Sequence, residues 1–233
     1  MNVSAVVLAA GLGERMGSER NKMLVDICGQ PLLLYSVRTL SQVPAINEIL
    51  IVVRHGEEDT VRAALEGFDR PIRFVRGGET RRDSALFGVR AARGDHVLIH
   101  DGARPFADVS LIERVVEAAT CHDAAIPVLA ATDTLHVRSE GDMLTGTFDR
   151  TSVVHAQTPQ GFARLLILNA LEHAPVDATD DAAAVMALGH AVRCVAGDPR
   201  NIKVTRPEDI VIAESIARAR VAGTAHDTSE PVA

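Results

Sequence analysis

Strands and helices alternate along this chain, and three of the predicted strands run straight into glycine-rich, charged loops. Val3–Leu8 is an unbroken apolar run that stops at Gly11 and Gly13, which reads as a buried first strand. Pro31 opens a helical pattern carried by Leu33, Val37 and Leu40, and residues 48–53 read as the second strand. A helix is predicted over 57–65, a short strand over 72–75 that enters Arg76-Gly77-Gly78, and a helix over 82–92. Residues 96–99 form the next strand, stopped by Asp101-Gly102-Ala103-Arg104-Pro105, and Ser110 with Glu113 has the spacing of a capping box. Short connections between alternating strands and helices mean βαβ units. The expected fold is therefore α/β, a Rossmann-like doubly wound, mostly parallel sheet flanked by helices.

The rhythm breaks over about 132–158. There the pattern is strand, turn at Ser139-Glu140-Gly141-Asp142, then a second extended stretch, so an inserted β-hairpin arm is predicted. Such an arm suits dimerisation, and a surface hairpin is the alternative. Thr179-Asp180-Asp181 invites a metal-site reading, but helix capping explains it more simply. A strand follows over 192–195. Thr205-Arg206-Pro207-Glu208 then caps a last helix expected to reach about Arg220. One domain over 1–221 is expected, with an aperiodic, disordered tail over 222–233 and no second catalytic domain.

Composition removes several function classes. A net charge of −7 argues against a nucleic-acid or anionic-membrane footprint. One Tyr, six Phe and no Trp leave little for stacking bases. No segment reads as a membrane span, and the first apolar run lacks a basic leader. Cys28, Cys121 and Cys194 form no CxxC and read as reduced thiols filling the core of a cytoplasmic protein. Of the 24 basic residues only Lys22 and Lys203 are lysines. A compact ammonium is not interchangeable with a planar guanidinium at a phosphate, so lysine persists where its shape matters.

The loop Gly11-Leu12-Gly13-Glu14-Arg15-Met16-Gly17 is not a dinucleotide fingerprint, because Met16 takes the third glycine position. It is not a Walker A loop either, since no Ser or Thr follows Lys22. What remains is a cationic glycine loop whose backbone N–H groups can turn toward phosphates, with Arg15 and Lys22 able to neutralise charge at an attacked phosphorus. Ligands of open α/β sheets bind beyond the carboxyl ends of strands, so the loops after the first, third and fourth strands can converge on one site.

Residues 9–16 with Lys22 resemble the signature of sugar-phosphate nucleotidyltransferases. Gly77-Gly78-Glu79-Thr80-Arg81-Arg82-Asp83-Ser84, His100-Asp101-Gly102-Ala103-Arg104-Pro105, His155-Ala156-Gln157-Thr158-Pro159-Gln160 and Asn201-Ile202-Lys203-Val204-Thr205 narrow the resemblance to the 2-C-methyl-D-erythritol 4-phosphate cytidylyltransferase family. That resemblance implies transfer of CMP from CTP to a polyol phosphate with release of pyrophosphate, in non-mevalonate isoprenoid synthesis. It implies Arg15, Lys22, Arg150 and Lys203 as catalytic, and Ala9, Ala10, Gly11, Gly13, Gly77, Gly78, Ser84 and Asp101 around the nucleotide. Asp101, Arg104, Thr134, Arg150, Thr158 and Lys203 fall at the polyol phosphate.

The same resemblance implies Mg²⁺ arriving with CTP and no protein metal cage. It also implies a homodimer in which the arm carries Arg150 to the neighbouring subunit's site. Neither His100 nor His155 is needed as a base. Leu8 and Asn21 stand where proline is frequent in that family, Gly102 where alanine is commoner, and His136 where lysine often occurs. A cytidylyltransferase acting on another polyol phosphate, such as ribitol 5-phosphate, and a non-catalytic nucleotide-binding regulator remain the alternatives.

Overall fold

A computed structural model describes residues 2–11, 21–175 and 178–226, with side chains described as far as Val221. In chain order the strands are β1 (Val3–Leu8), β2 (Asp26–Ile27), β3 (Gln30–Pro31), β4 (Ile46–Val53), β5 (Ile72–Arg76), β6 (His96–Asp101), β7 (Ala124–Ala130), β8 (His136–Arg138), β9 (Leu144–Thr147), β10 (Val154–Ala156), β11 (Gln160–Ala163) and β12 (Arg193–Ala196). The helices are α1 (Leu32–Gln42), α2 (Glu58–Ala64), α3 (Arg81–Ala91), α4 (Val109–His122), α5 (Arg164–His173), α6 (Asp181–Ala187) and α7 (Pro207–His226). Short 3-10 turns lie at Lys22–Leu24 and Arg150–Ser152.

β1 pairs in parallel with β4 on one edge and β6 on the other, and β5 extends the sheet beyond β4. On the far side β11 runs antiparallel between β6 and β7. Ala125 pairs with both Gly161 and Arg193, and Val128 with both Ala156 and Ala196. β12 therefore lies on one edge of β7, and β10 and β11 lie together on the other.

Side chains of successive strand residues point to opposite faces, and β1 shows it. Val3, Ala5 and Val7 join one apolar cluster with residues of α1, α4 and α7. Val6 and Leu8 join another with residues of α3, α5 and α6. Helices thus cover both faces, the doubly wound arrangement expected.

The arm forms as its own two-stranded sheet, β8 with β9. Its residues are exposed, including Met143, Leu144 and Phe148. The sequence reading missed β7, β11 and α5. It also placed two caps wrongly. Asp108, not Ser110, caps α4 by accepting from Leu111 N, and Asp209, not Glu208, takes the bonds from Thr205 and Arg206. The last helix runs on to His226, five residues into the segment read as a tail; Ala222 and Ala225 favour helix, and one Gly223 costs only about 1 kcal/mol. All three cysteines are exposed rather than core-filling. Among the described residues no helix is long and apolar enough to cross a membrane.

The packing of α3 on the sheet yields a test. A Cβ at Gly88 would lie 2.3 Å from Val6 Cγ1 and 3.0 Å from Val52 Cγ2. Gly88→Ala gains about 1 kcal/mol of helix propensity but loses about 1–3 kcal/mol to overpacking. Net destabilisation in urea unfolding is expected, and a midpoint at or above wild type would contradict this packing.

Candidate active site

The loops after β1, β5 and β6 meet in one cleft at the carboxyl edge of the sheet. Ala10, Gly11 and Lys22 line it from the first loop, Gly78, Glu79, Thr80, Arg81 and Ser84 from the second, and Asp101 and Ala103 from the third. Lys203 closes it from the loop before α7. Backbone bonds fix the three loop origins to neighbouring strand ends: Ala9 N to Val52 O at 2.8 Å, Gly77 N to Val53 O at 2.7 Å and Gly102 N to Leu8 O at 3.0 Å. A Cβ on Gly77 would stand 2.8 Å from Ala10 Cβ and 2.9 Å from Ser84 Oγ, so the first two loops approach as closely as they do only because residue 77 is glycine.

α3 begins at this cleft for a local reason. Thr80 accepts from Asp83 N at 3.0 Å while Asp83 accepts from Thr80 N at 3.1 Å, a reciprocal cap. That leaves Ser84 free of capping duty. Its Oγ accepts from Gly78 N at 3.2 Å, and the residue lines the cleft.

Asp101, at the end of β6 and 8% exposed, is the electrostatic hub. Lys203 Nζ lies 2.7 Å from its Oδ2, and Arg81 Nε and Nη2 each lie 3.1 Å from its Oδ1. The same guanidinium reaches Asp181, with Nη1 at 3.1 Å and Nη2 at 2.8 Å. Burial pushes the Asp101 carboxyl up, but Arg81 and Lys203 overcome it and hold the group well below the usual carboxylate range. Burial likewise opposes charge on Arg81, and Asp181 and Asp101 raise it above its ordinary value.

Behind this cluster, polar groups brace the Lys203 loop. Gln157 accepts from Asp198 N at 3.1 Å and donates to Asp198 O at 2.9 Å. Asn201 donates to Thr158 O at 2.9 Å, and Arg104 Nη1 donates to Asn201 O at 2.8 Å. Thr158 Oγ1 accepts from Asp101 N at 3.0 Å and lies 3.1 Å from His100 Nδ1, while His100 Nε2 lies 3.0 Å from Arg104 O. The neutral ring satisfies this chain by donating from Nε2 and accepting at Nδ1. Burial lowers the His100 pKa to about 4, against the opposing pull of Asp101 and the Arg104 carbonyl.

Of the residues singled out in the sequence, Ala10, Gly11, Lys22, Gly78, Ser84, Asp101 and Lys203 line the cleft. Ala9 is buried beneath it, and Gly77 lines the adjoining groove with Arg54, His55 and Arg76. Arg104 and Thr158 lie behind the cleft, with their side chains engaged as described. Thr134 and Arg150 are exposed on the arm, Arg150 Nη1 lying 3.4 Å from Thr132 O. Gly13 and Arg15 fall outside the described residues. Glu79 and Thr80 were not singled out, nor was the partnership of Arg81 with Asp181. Asp180 does cap α6, accepting from Ala183 N at 2.8 Å, which frees Asp181 for Arg81. Among the described residues no group of three or more His, Cys, Asp or Glu side chains could hold a metal ion.

The family model described as 2-C-methyl-D-erythritol 4-phosphate cytidylyltransferase matches residues 3–219. A protein of that name from Geobacillus thermodenitrificans is 38% identical over 228 residues, covering 95% of this chain and all of the relative. A bifunctional enzyme IspD/IspF from an Anaeromyxobacter species is 42% identical over 97% of this chain, which spans 60% of that longer protein. Among solved structures, the cytidylyltransferase of Thermus thermophilus aligns with a TM-score of 0.79 and 35% identity, over 94% of this chain and all of the other. The 4-diphosphocytidyl-2C-methyl-D-erythritol synthase of Anaerococcus prevotii aligns with a TM-score of 0.82 and 32% identity, over 93% and 98% of the two chains.

The buried His100 gives a pH prediction with a definite sign. Its folded pKa lies below the unfolded value of about 6.5, so the unfolded chain binds the proton first. Stability is complete above pH 6.5 and is lost as pH falls toward 4, by on the order of 3 kcal/mol. His100→Gln should flatten the fall between pH 7 and 4.5 in urea unfolding. An equal slope in both proteins would show that His100 is not its source.

Proposed function

The chain belongs to the 2-C-methyl-D-erythritol 4-phosphate cytidylyltransferase family, and we propose that it transfers CMP from CTP to 2-C-methyl-D-erythritol 4-phosphate. A phosphate oxygen of the acceptor bonds to the α-phosphorus of CTP, and the bond from that phosphorus to the bridging oxygen breaks to release pyrophosphate. The observation that carries the reading is that both lysines of the chain, Lys22 and Lys203, line the same cleft.

The acceptor phosphate is anionic near neutral pH, so the step needs no protein base. Positioning and charge stabilisation supply the catalysis. His100 agrees, because it is buried and both its ring nitrogens have partners. Lys22, with Arg15, neutralises charge growing around the α-phosphorus. Lys203, held on Asp101, is aimed at the incoming phosphate.

Ser84 and the backbone of Gly77 and Gly78 read the cytosine edge, where a fixed donor and acceptor pattern separates it from uracil. Thr158 and Arg104 serve the acceptor end through the Lys203 loop that they brace. We assign Arg150 and Thr134 to the cleft of a second subunit, reached by the arm of a cytoplasmic homodimer. The donor set of the cleft fits Mg²⁺ that arrives with the nucleotide. Asp101 is the one buried carboxylate among the cleft's described lining residues, and both of its oxygens already meet Arg81 and Lys203, so the phosphates would hold the ion, which would neutralise the triphosphate when bound.

Incubation with Mg²⁺, CTP and either 2-C-methyl-D-erythritol 4-phosphate or ribitol 5-phosphate, with the product identified by mass, tests the assignment. The methylerythritol product is expected to dominate; CDP-ribitol as the main product would move the enzyme to another polyol. Lys22→Ala should lower kcat by roughly 10²-fold or more with the fold intact, and near-normal turnover would remove Lys22 from the mechanism. Arg150→Ala should raise the KM for the polyol phosphate by about tenfold, the cost of one lost charged contact, while sparing CTP affinity. An equal fall in CTP affinity would displace Arg150 from the acceptor.

A further inference from the structure

We propose that Asn21 is a positioning residue that sets Lys22 against the nucleotide loop through a hydrogen-bonded bracket with Glu57. The proposal rests on the reading of Lys22 as the cation that serves the CTP phosphates.

Asn21 is 5% exposed and immediately precedes Lys22. Its side chain joins three separate parts of the fold. Nδ2 donates to Ala9 O at 3.1 Å, at the end of β1, and to Glu57 Oε2 at 2.7 Å, at the entry to α2. Oδ1 accepts from Met23 N at 3.0 Å and so caps the 3-10 turn that carries Lys22. The Asn21 carbonyl also accepts from Leu24 N at 3.0 Å.

The chemistry at this position admits one kind of side chain. Two acceptors and one donor converge on it, and a primary amide supplies the two donors and the acceptor that match. Aspartate has the shape but would turn an acceptor toward Ala9 O and the Glu57 carboxylate. Alanine would leave a buried carbonyl and a buried N–H without partners, which costs more than the bonds themselves contribute. The bond to Glu57 is charge-assisted and is the strongest of the three. The backbone φ of −56° is one that a proline ring would also fix. At residue 21 the amide uses side-chain bonds to hold what a ring would hold covalently. Those bonds tie the Lys22 turn to the strand ends that also carry Ala10.

Neither Asn21 nor Glu57 lines the cleft, so their effect must pass through Lys22. The test uses the full-length protein with Asn21→Asp, Glu57→Gln and the double variant, with CTP affinity measured by calorimetry without acceptor. Asn21→Asp should lower kcat roughly tenfold, as expected for a displaced catalytic group, with KM for the acceptor phosphate unchanged and CTP bound several-fold more weakly. Glu57→Gln alone should stay within about twofold of wild type, because its amide oxygen still accepts from Asn21. In the double variant the amide introduced at position 57 turns over and donates to the carboxylate introduced at position 21, while the acceptor facing Ala9 O remains, so kcat and CTP affinity should recover about threefold from the Asn21→Asp level without reaching wild type. A general folding defect would not be relieved by changing Glu57. Wild-type kcat and CTP affinity in Asn21→Asp, or a loss that Glu57→Gln does not relieve, would overturn the bracket. A wild type that turns over neither acceptor would refute the proposed reaction, while the CTP titrations would still decide the bracket.

Discussion

A carboxylate taken out of water costs several kcal/mol unless cations meet it, and Asp101 is met by two. Lys203 comes from the loop before α7, and Arg81 comes from the first turn of α3. Asp181 lies on the other side of Arg81, so one guanidinium fork spans two acids from β6 and α6. Four remote segments are thereby tied at one point on the carboxyl edge of the sheet. The arrangement is asymmetric in energy. Intact, it adds little net stability. With one partner removed, it leaves a buried charge uncompensated, at about 3–5 kcal/mol. Its value lies in holding an ammonium at a fixed place in the cleft.

Around that hub the loops are held by backbone geometry more than by side-chain mass. Gly77 permits contact between the first and second loops that any Cβ would prevent. Gly197 does the same for the Lys203 loop, where a Cβ would lie 2.5 Å from Gln157 Oε1. Gln157 can then reach the backbone on both sides of Asp198. Gln157 thereby pairs both of its amide atoms, although Arg104 Nε and Asn201 Oδ1 in the same brace are buried without a hydrogen-bond partner among the described residues. Loops fixed in this way can meet a developing charge without reorganising first.

Much of this was legible in the chain itself. β1, residues 49–53 of β4 and residues 97–99 of β6 are largely apolar runs buried on both faces, whereas β5 is half-buried and was marked by the Arg76-Gly77-Gly78 turn that ends it. The cleft residues Lys22, Asp101, Ser84 and Lys203 stood out because each lies in a loop that ends such a run or in a motif of fixed composition. β7 and β11 did not stand out. Ala124, Ala125 and Pro127 are poor strand formers, and Gln160-Gly161 interrupts any alternation. These segments are strands because both of their edges are paired, which only the assembled sheet decides. The Arg81–Asp181 pair and the Asn21 bracket were invisible for the same reason, since each joins residues whose proximity depends on tertiary packing. Ser110 and Glu208 misled because a capping box predicts a start without saying which nearby acid takes the bond.

The arm leaves the sheet after Ala130 and returns at Val154, and these two residues are register partners on β7 and β10. Its two ends are therefore about 5 Å apart, one strand spacing, and the sheet closes beneath it without its help. Everything between is a detachable module. Because the cost of closing a loop grows only slowly with its length, this segment can lengthen, shorten or be redrawn while the cleft stays as it is. The scaffold thereby separates two evolutionary problems: the cleft is locked into the sheet, and the turn at the tip of the arm, residues 139–143, is free to drift.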